Sequence, residues 1–160
     1  MGTTNEVGIT TLTTPSDREV VITRVVDAPR TLVFDVWTNP EHLPHWMGQR
    51  GWTMPVCEID LRPGGTYRFV WRSPDGAEMG MGGTYQEVTP PERLVSTESW
   101  DGWAEALTTL DLVEENGKTT MTTTVLYASK EARDAALQTG MKEGMDVGFE
   151  RLDEYLRTRA

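Results

Sequence analysis

Residues 24–48 read RVVDAPRTLVFDVWTNPEHLPHWMG, and the spacing of their apolar side chains changes twice within that stretch. From Glu19 to Asp27, Val, Ile and Thr alternate with period two, the mark of a strand with one buried face. Pro29 then fixes φ at a place where a first helical turn needs no N–H, and Leu32, Val33, Val36 and Trp37 recur at helical spacing. This helix is expected to end near Thr38. Asn39, Pro40 and Glu41 resemble a cap and first turn, which predicts a second short helix through His42 to Trp46, closed by Gly48.

Working outward, the chain downstream is punctuated by turn residues. Met54 to Leu61 and Thr66 to Arg72 read as hairpin partners around Arg62-Pro63-Gly64-Gly65, because Pro sets φ and Gly supplies positive φ. Ser73-Pro74-Asp75-Gly76 leads to a strand over Glu78 to Val88, interrupted at Gly82-Gly83 by an expected bulge or close approach. Thr89-Pro90-Pro91-Glu92 turns the chain again. Arg93 to Trp100, Ala104 to Glu114 and Lys118 to Tyr127 complete seven expected strands, with Asp101-Gly102 and Glu115-Asn116-Gly117 as hairpin signals. Upstream, residues 1–18 are Thr-rich with little periodicity and are expected to form a flexible tail or an edge segment, leaving 19–160 as one domain.

The last element is expected to start at Ser129 and to run as one long helix to about Arg157, roughly 40 Å at the helical rise. Leu137, Met141, Met145, Phe149, Leu152 and Leu156 form its apolar stripe. Beside them Gly140, Gly144 and Gly148 recur every four residues, each costing about 1 kcal/mol relative to Ala inside a helix. Two readings remain open: the glycines permit close packing on the sheet, or they leave room for a ligand beneath the helix. One strand, two short helices, a run of antiparallel strands and a closing helix describe an α+β fold, a curved sheet gripping a helix around a cavity.

Composition narrows the partners. A chain of 160 residues can bury one sizeable core without disulfides or metal, and its single cysteine, Cys57, permits no internal disulfide. No basic segment followed by an apolar run opens the sequence and no stretch approaches the roughly 20 apolar residues of a membrane span, so a reduced, cytoplasmic protein with no membrane insertion is expected. With 15 Lys and Arg against 25 Asp and Glu, the formal net charge of −10 argues against nucleic acid. Six Trp and eight Met suit both a dense core and a wall that adapts to apolar guests.

Several segments together carry a resemblance: VDAPRTLVFDVWTNPEHLPHWMG at 26–48, EIDLRPGGTYRF at 58–69, SPDG at 73–76, GGTYQEVTPPERLV at 82–95 and GFERLDEYL at 148–156. They resemble the helix-grip superfamily of plant pollen allergens, START lipid-transfer domains and aromatic polyketide cyclases. More closely, they are similar to bacterial proteins named for the C-terminal domain of the activator of Hsp90 ATPase. The resemblance implies a helix-grip fold with a hydrophobic cavity between sheet and C-terminal helix, no cofactor, a stress-response setting and a possible homodimer. Relatives tend to carry a second Trp beside Trp46 and a Trp at Phe149, so this chain departs at two bulky positions.

In Thr66 to Arg72, alternation places Tyr67, Phe69 and Trp71 on one face, expected to look inward. Met81, Tyr85, Trp100, Trp103, Met141, Gly144 and Met145 are expected to extend this surface into a site for a small hydrophobic or aromatic molecule. Each is equally readable as ordinary core. Glu98 shares parity with Leu94 and Trp100, so a carboxylate could face the interior with a raised pKa, as ligand anchor or as acid/base in a cyclase- or hydrolase-type enzyme. A chaperone-related interaction module is the remaining alternative. His42 and His45, three apart, fall short of the three or four ligands zinc requires and read as solvated. Asp60 and Arg62 read as a structural pair in their turn, and Cys57 as an unreactive thiol.

Overall fold

The computed structural model describes residues 7–159. Eight antiparallel strands form one curved sheet in the order β1-β2-β8-β7-β6-β5-β4-β3. They are β1 (Thr10–Thr13), β2 (Glu19–Val26), β3 (Thr53–Ile59), β4 (Thr66–Arg72), β5 (Glu78–Thr89), β6 (Arg93–Trp100), β7 (Ala106–Glu115) and β8 (Lys118–Leu126). β3 to β8 form a meander, each strand beside its chain neighbour. β2 pairs with β8 across the chain, Val20 facing Val125 and Ile22 facing Thr123. Consecutive strands β2 and β3 therefore lie six inter-strand spacings apart, about 29 Å at ~4.8 Å each. The segment between them has to cross the concave face, and this crossing supplies the roof of the fold.

That segment contains α1 (Arg30–Thr38), which buries Val33, Phe34 and Val36 against the sheet. The predicted second helix is a 3-10 turn of three residues, Leu43–His45. Asn39 does not cap it: its Oδ1 accepts from the Glu41 N–H at 3.0 Å in the turn just before, and the cap position is His42, whose side chain makes no capping bond. Pro44 sits in the first turn, where no N–H is needed, and the turn ends at Trp46, whose φ of −138° is not helical. Leu43 and Trp46 are nonetheless fully buried, and the Trp46 indole donates to Val36 O at 2.9 Å.

Two further expectations are corrected. Thr10–Thr13, read as part of a flexible tail or an edge segment, is an eighth strand at the sheet edge that pairs with β2, Leu12 opposite Ile22; residues 1–6 of that segment lie outside the described residues. The single closing helix is two, α2 (Lys130–Leu137) and α3 (Met141–Arg157). Ser129 caps α2, its hydroxyl accepting from the Ala132 N–H at 3.0 Å. Gly140 stands between the helices at φ 80°, a left-handed conformation that ends one helix and costs a side-chain-bearing residue dearly. The gripped rod is thus α3 alone, about 25 Å long. It buries Phe149, Leu152, Tyr155 and Leu156, whereas α2 buries nothing.

Candidate functional site

Alternation along the strands decides which side chains reach the concave face. β4 presents Tyr67, Phe69 and Trp71, each about 5% exposed. β5 adds Met81, opposite Phe69, and Tyr85. β6 adds Leu94, Ser96 and Glu98, β7 adds Thr108 and Leu110, and β8 adds Thr123. Trp37 of α1 and Met47, just past the 3-10 turn, close over these residues and leave a void of about 70 Å³. The floor is ring on ring, with Tyr67 centred 5.1 Å from Phe69 and 5.2 Å from Tyr85. Trp71 and Trp100 stack at 5.4 Å beside it.

The roof is fixed at several points. The Trp71 indole donates to Met47 O at 3.2 Å. Gly48 adopts φ +103°, and a Cβ there would come within 2.7 Å of the Trp71 ring, so only glycine allows this approach. Arg151 of α3 donates to Gly48 O at 2.9 Å and to His45 O at 3.2 Å, tying the same loop to the helix. Trp37 meets Trp46 edge-on at 5.0 Å, and its indole donates to the Met121 sulfur at 3.3 Å.

Glu98 brings the void its one carboxyl. Oε2 accepts from Trp100 Nε1 at 3.0 Å and Oε1 from Thr108 Oγ1 at 3.2 Å. Burial holds this carboxyl above the ordinary glutamate range, and the two hydrogen bonds offset part of that rise. Burial, and then the Glu98 charge, pushes the Tyr67 phenol up and the Tyr127 phenol up to about 12. Burial does the same to Tyr85. A larger hollow of about 270 Å³ lies elsewhere, around Arg18, Thr97, Glu105, Leu107 and Leu126. By strand alternation Thr97, Leu107 and Leu126 point to the outer face, and the hollow is open and walled by polar groups. The aromatic void is less open and mostly apolar, and is the better-built site, although it is smaller.

The fold matches known proteins. Residues 27–157 match the family described as Activator of Hsp90 ATPase homolog 1-like protein. The chain belongs to that family. A crystal structure of a Rhodobacter sphaeroides protein is 33% identical, with TM-score 0.87, covering 92% of this chain and 98% of the other. A Nitrosomonas europaea protein is 24% identical, with TM-score 0.81, covering 91% of this chain and 98% of the other. Protein Ms6760 of Mycobacterium smegmatis is 24% identical, with TM-score 0.83, covering 92% and 97%. These last two likenesses speak for the fold alone. Among curated proteins nothing matches the chain.

In this family member the residues expected to form the site divide into two groups. Phe69, Met81, Tyr85 and Glu98 line the void, and Trp71 and Trp100 support it from the side. Trp103 does not join them: it stands 48% exposed in the turn after β6. Met141, Gly144 and Met145 do not line the void either. The two methionines pack half-buried against the core, and a Cβ on Gly144 would meet nothing within 4 Å. The void therefore lies between the sheet and the α1–Met47 roof, not beneath the C-terminal helix as expected. Trp37, Met47, Ser96, Thr108 and Thr123 were absent from the expected set. The parity of Ser96 with Glu98 and of Thr123 with Met121 could have found two of them; the roof has no such signal.

The other polar candidates have structural partners. Arg62 Nε donates to Asp60 at 2.9 Å, as their turn predicted. Cys57 is half-buried, and burial pushes its thiol up to about 11. His42 is not solvated: Nε2 lies 3.0 Å from Asp35 Oδ2, and Nδ1 lies 2.6 Å from the Tyr155 hydroxyl. Arg159 donates to the same hydroxyl at 2.6 Å, and His45 stacks on the Tyr155 ring at 5.2 Å. The cluster locks the end of α3 to α1 and the 3-10 turn. Among the described residues no group of three or more His, Cys, Asp or Glu is placed to hold a metal ion, and no helix is long and apolar enough to cross a membrane.

Proposed function

We propose that the domain binds a small apolar or aromatic molecule in the void between the sheet and the α1–Met47 roof. The observation that carries this reading is an aromatic-walled interior space that the surrounding side chains leave unfilled, although close-packed cores rarely leave room larger than a water molecule. At about 70 Å³ it is roughly half the size of an engineered cavity known to take benzene. An aromatic guest therefore has to displace Met47 and Met81, whose unbranched thioethers re-pack at low cost. The test is titration with benzyl alcohol, followed through the methionine methyl resonances. Saturable shifts at Met47 and Met81 are expected, and their loss in Ser96→Leu, which fills the void from β6. Shifts that persist unchanged in Ser96→Leu would place the guest elsewhere.

One observation favours a second reading, an enzyme that uses Glu98 as acid or base: its carboxyl holds its proton more tightly than an ordinary glutamate. Binding is preferred because the only other titratable groups in the lining, Tyr67 and Tyr85, are pushed further from giving up their protons. An interaction module draws less support, since the exposed Val7, Ile9, Leu61, Met79, Trp103 and Val113 are spread over the segment before β1, two turns and two strands.

A further inference from the structure

The lining of the void carries one electrostatic sign. Glu98 supplies a carboxyl whose two oxygens each accept one protein hydrogen bond, from Trp100 Nε1 and Thr108 Oγ1. Two donors aimed at the two oxygens suit the carboxylate form better than the acid. Yet none of the residues that line the void is a Lys, Arg or His. The rings of Trp37, Tyr67, Phe69 and Tyr85 bound the same space, and an aromatic ring presents a negative face. Met47 and Met81 add polarizable sulfur. A buried carboxylate without a counter-charge is costly, and the fold supplies none here. An anionic guest would be repelled, and a neutral one would leave the carboxyl holding its proton, its two donors without the anion they suit.

We propose that the occupant carries a cationic nitrogen: a small apolar or aromatic amine whose ammonium group sits between the Glu98 carboxylate and the rings of Tyr67 and Tyr85. This rests on the reading of the void as a ligand site and adds the charge of the ligand to it. The ammonium pairs with the carboxylate and gains attraction from the rings, the arrangement by which aromatic cages hold amines. The apolar part takes the space that Met47 and Met81 yield. Because burial makes Glu98 hold its proton, amine binding draws that proton off, so affinity rises with pH until Glu98 is ionised in the free protein.

The experiment compares benzylamine, benzyl alcohol and benzoate, which share a ring and differ in charge, by isothermal titration of the parent protein and of Glu98→Gln. The amide can keep both local bonds, its oxygen accepting from Trp100 and its N–H donating to Thr108, so the variant should fold. Benzylamine is expected to bind at least about tenfold more tightly than benzyl alcohol and benzoate most weakly, with heats that depend on the buffer because a proton is released. Glu98→Gln should reduce that preference to about twofold or less. Equal affinity for amine and alcohol in the parent overturns the inference and leaves the void as a site for neutral guests. Binding by none of the three removes the void as a ligand site and the inference with it. Should Glu98→Gln fail to fold, the ratio and the proton release in the parent decide the question by themselves.

Discussion

The ion pair between Arg24 and Asp153 should be worth far more when one partner is removed than when both are. Arg24 sits on β2 facing inward, 3% exposed, and its Nη2 donates to Asp153 Oδ2 of α3 at 2.6 Å. Nη1 donates to Thr10 Oγ1 at 2.7 Å, the guanidinium lies 5.7 Å from the centre of the Phe149 ring, and Nε has no partner. The Asp153 side chain is 18% exposed against 4% for Arg24. Asp153→Ala therefore strands a buried cation with one hydroxyl for company, at a cost of about 3 kcal/mol, the lower end of the range for a broken buried pair because solvent reaches the Asp153 side. For a chain of this size that is a fall of about 6 to 12 °C in Tm. Arg24→Met should cost less, since the carboxylate left behind can hydrate. The double variant Arg24→Met/Asp153→Leu should return to within about 1 kcal/mol of the parent, because two apolar side chains need neither partner nor solvent. Chemical denaturation of all four proteins measures the cycle. If Asp153→Ala cost under about 1 kcal/mol, or if the double variant were less stable than Asp153→Ala, the pair would not be the buried, mutually dependent contact described.

Three further outcomes follow from the glycines and from Glu98. Gly144→Ala adds a Cβ into open space within α3 and should raise stability by about 1 kcal/mol through helix propensity, with benzyl alcohol binding unchanged; Gly83→Ala would drive a Cβ to 1.9 Å from Thr97 O and should unfold or rearrange β5, as thermal melts would report. Glu98 has a folded-state pKa above its ordinary 4.5, so its contribution to stability is complete below that value and is lost as pH rises through the raised one. Glu98→Gln does not titrate, so its Tm relative to the parent should climb as pH rises from the ordinary glutamate range through the raised one; a difference that stays flat with pH would contradict a buried, void-facing carboxyl.

Period and punctuation made most of the sheet legible. The strands β2 and β4 to β8 follow alternating apolar residues between Pro- and Gly-bearing turns, and both signals act over a few residues, where a linear reading can see them. β1 escaped because Thr10–Thr13 has one apolar residue, Leu12, and its place is set by pairing with β2, further along the chain. The three evenly spaced glycines looked equivalent in sequence. In the fold Gly140 breaks the helix at φ 80°, Gly144 faces open space, and a Cβ on Gly148 would make ordinary contact, 3.9 Å, with backbone atoms of Trp46 and Gly48. Nothing in a repeat of four residues distinguishes a break from a contact.

By itself, then, the sequence determined the class of fold, the strands of the meander, the inward parity of Tyr67, Phe69, Tyr85 and Glu98, and the family, all of which depend on short-range pattern. Tertiary structure alone decided where the void lies. Its position depends on where the crossing from β2 to β3 lands, and that landing is set by Trp37, Trp46 and Met47 meeting Trp71 and Arg151 from distant parts of the chain. A space between elements belongs to none of them, so it exists only once all have packed.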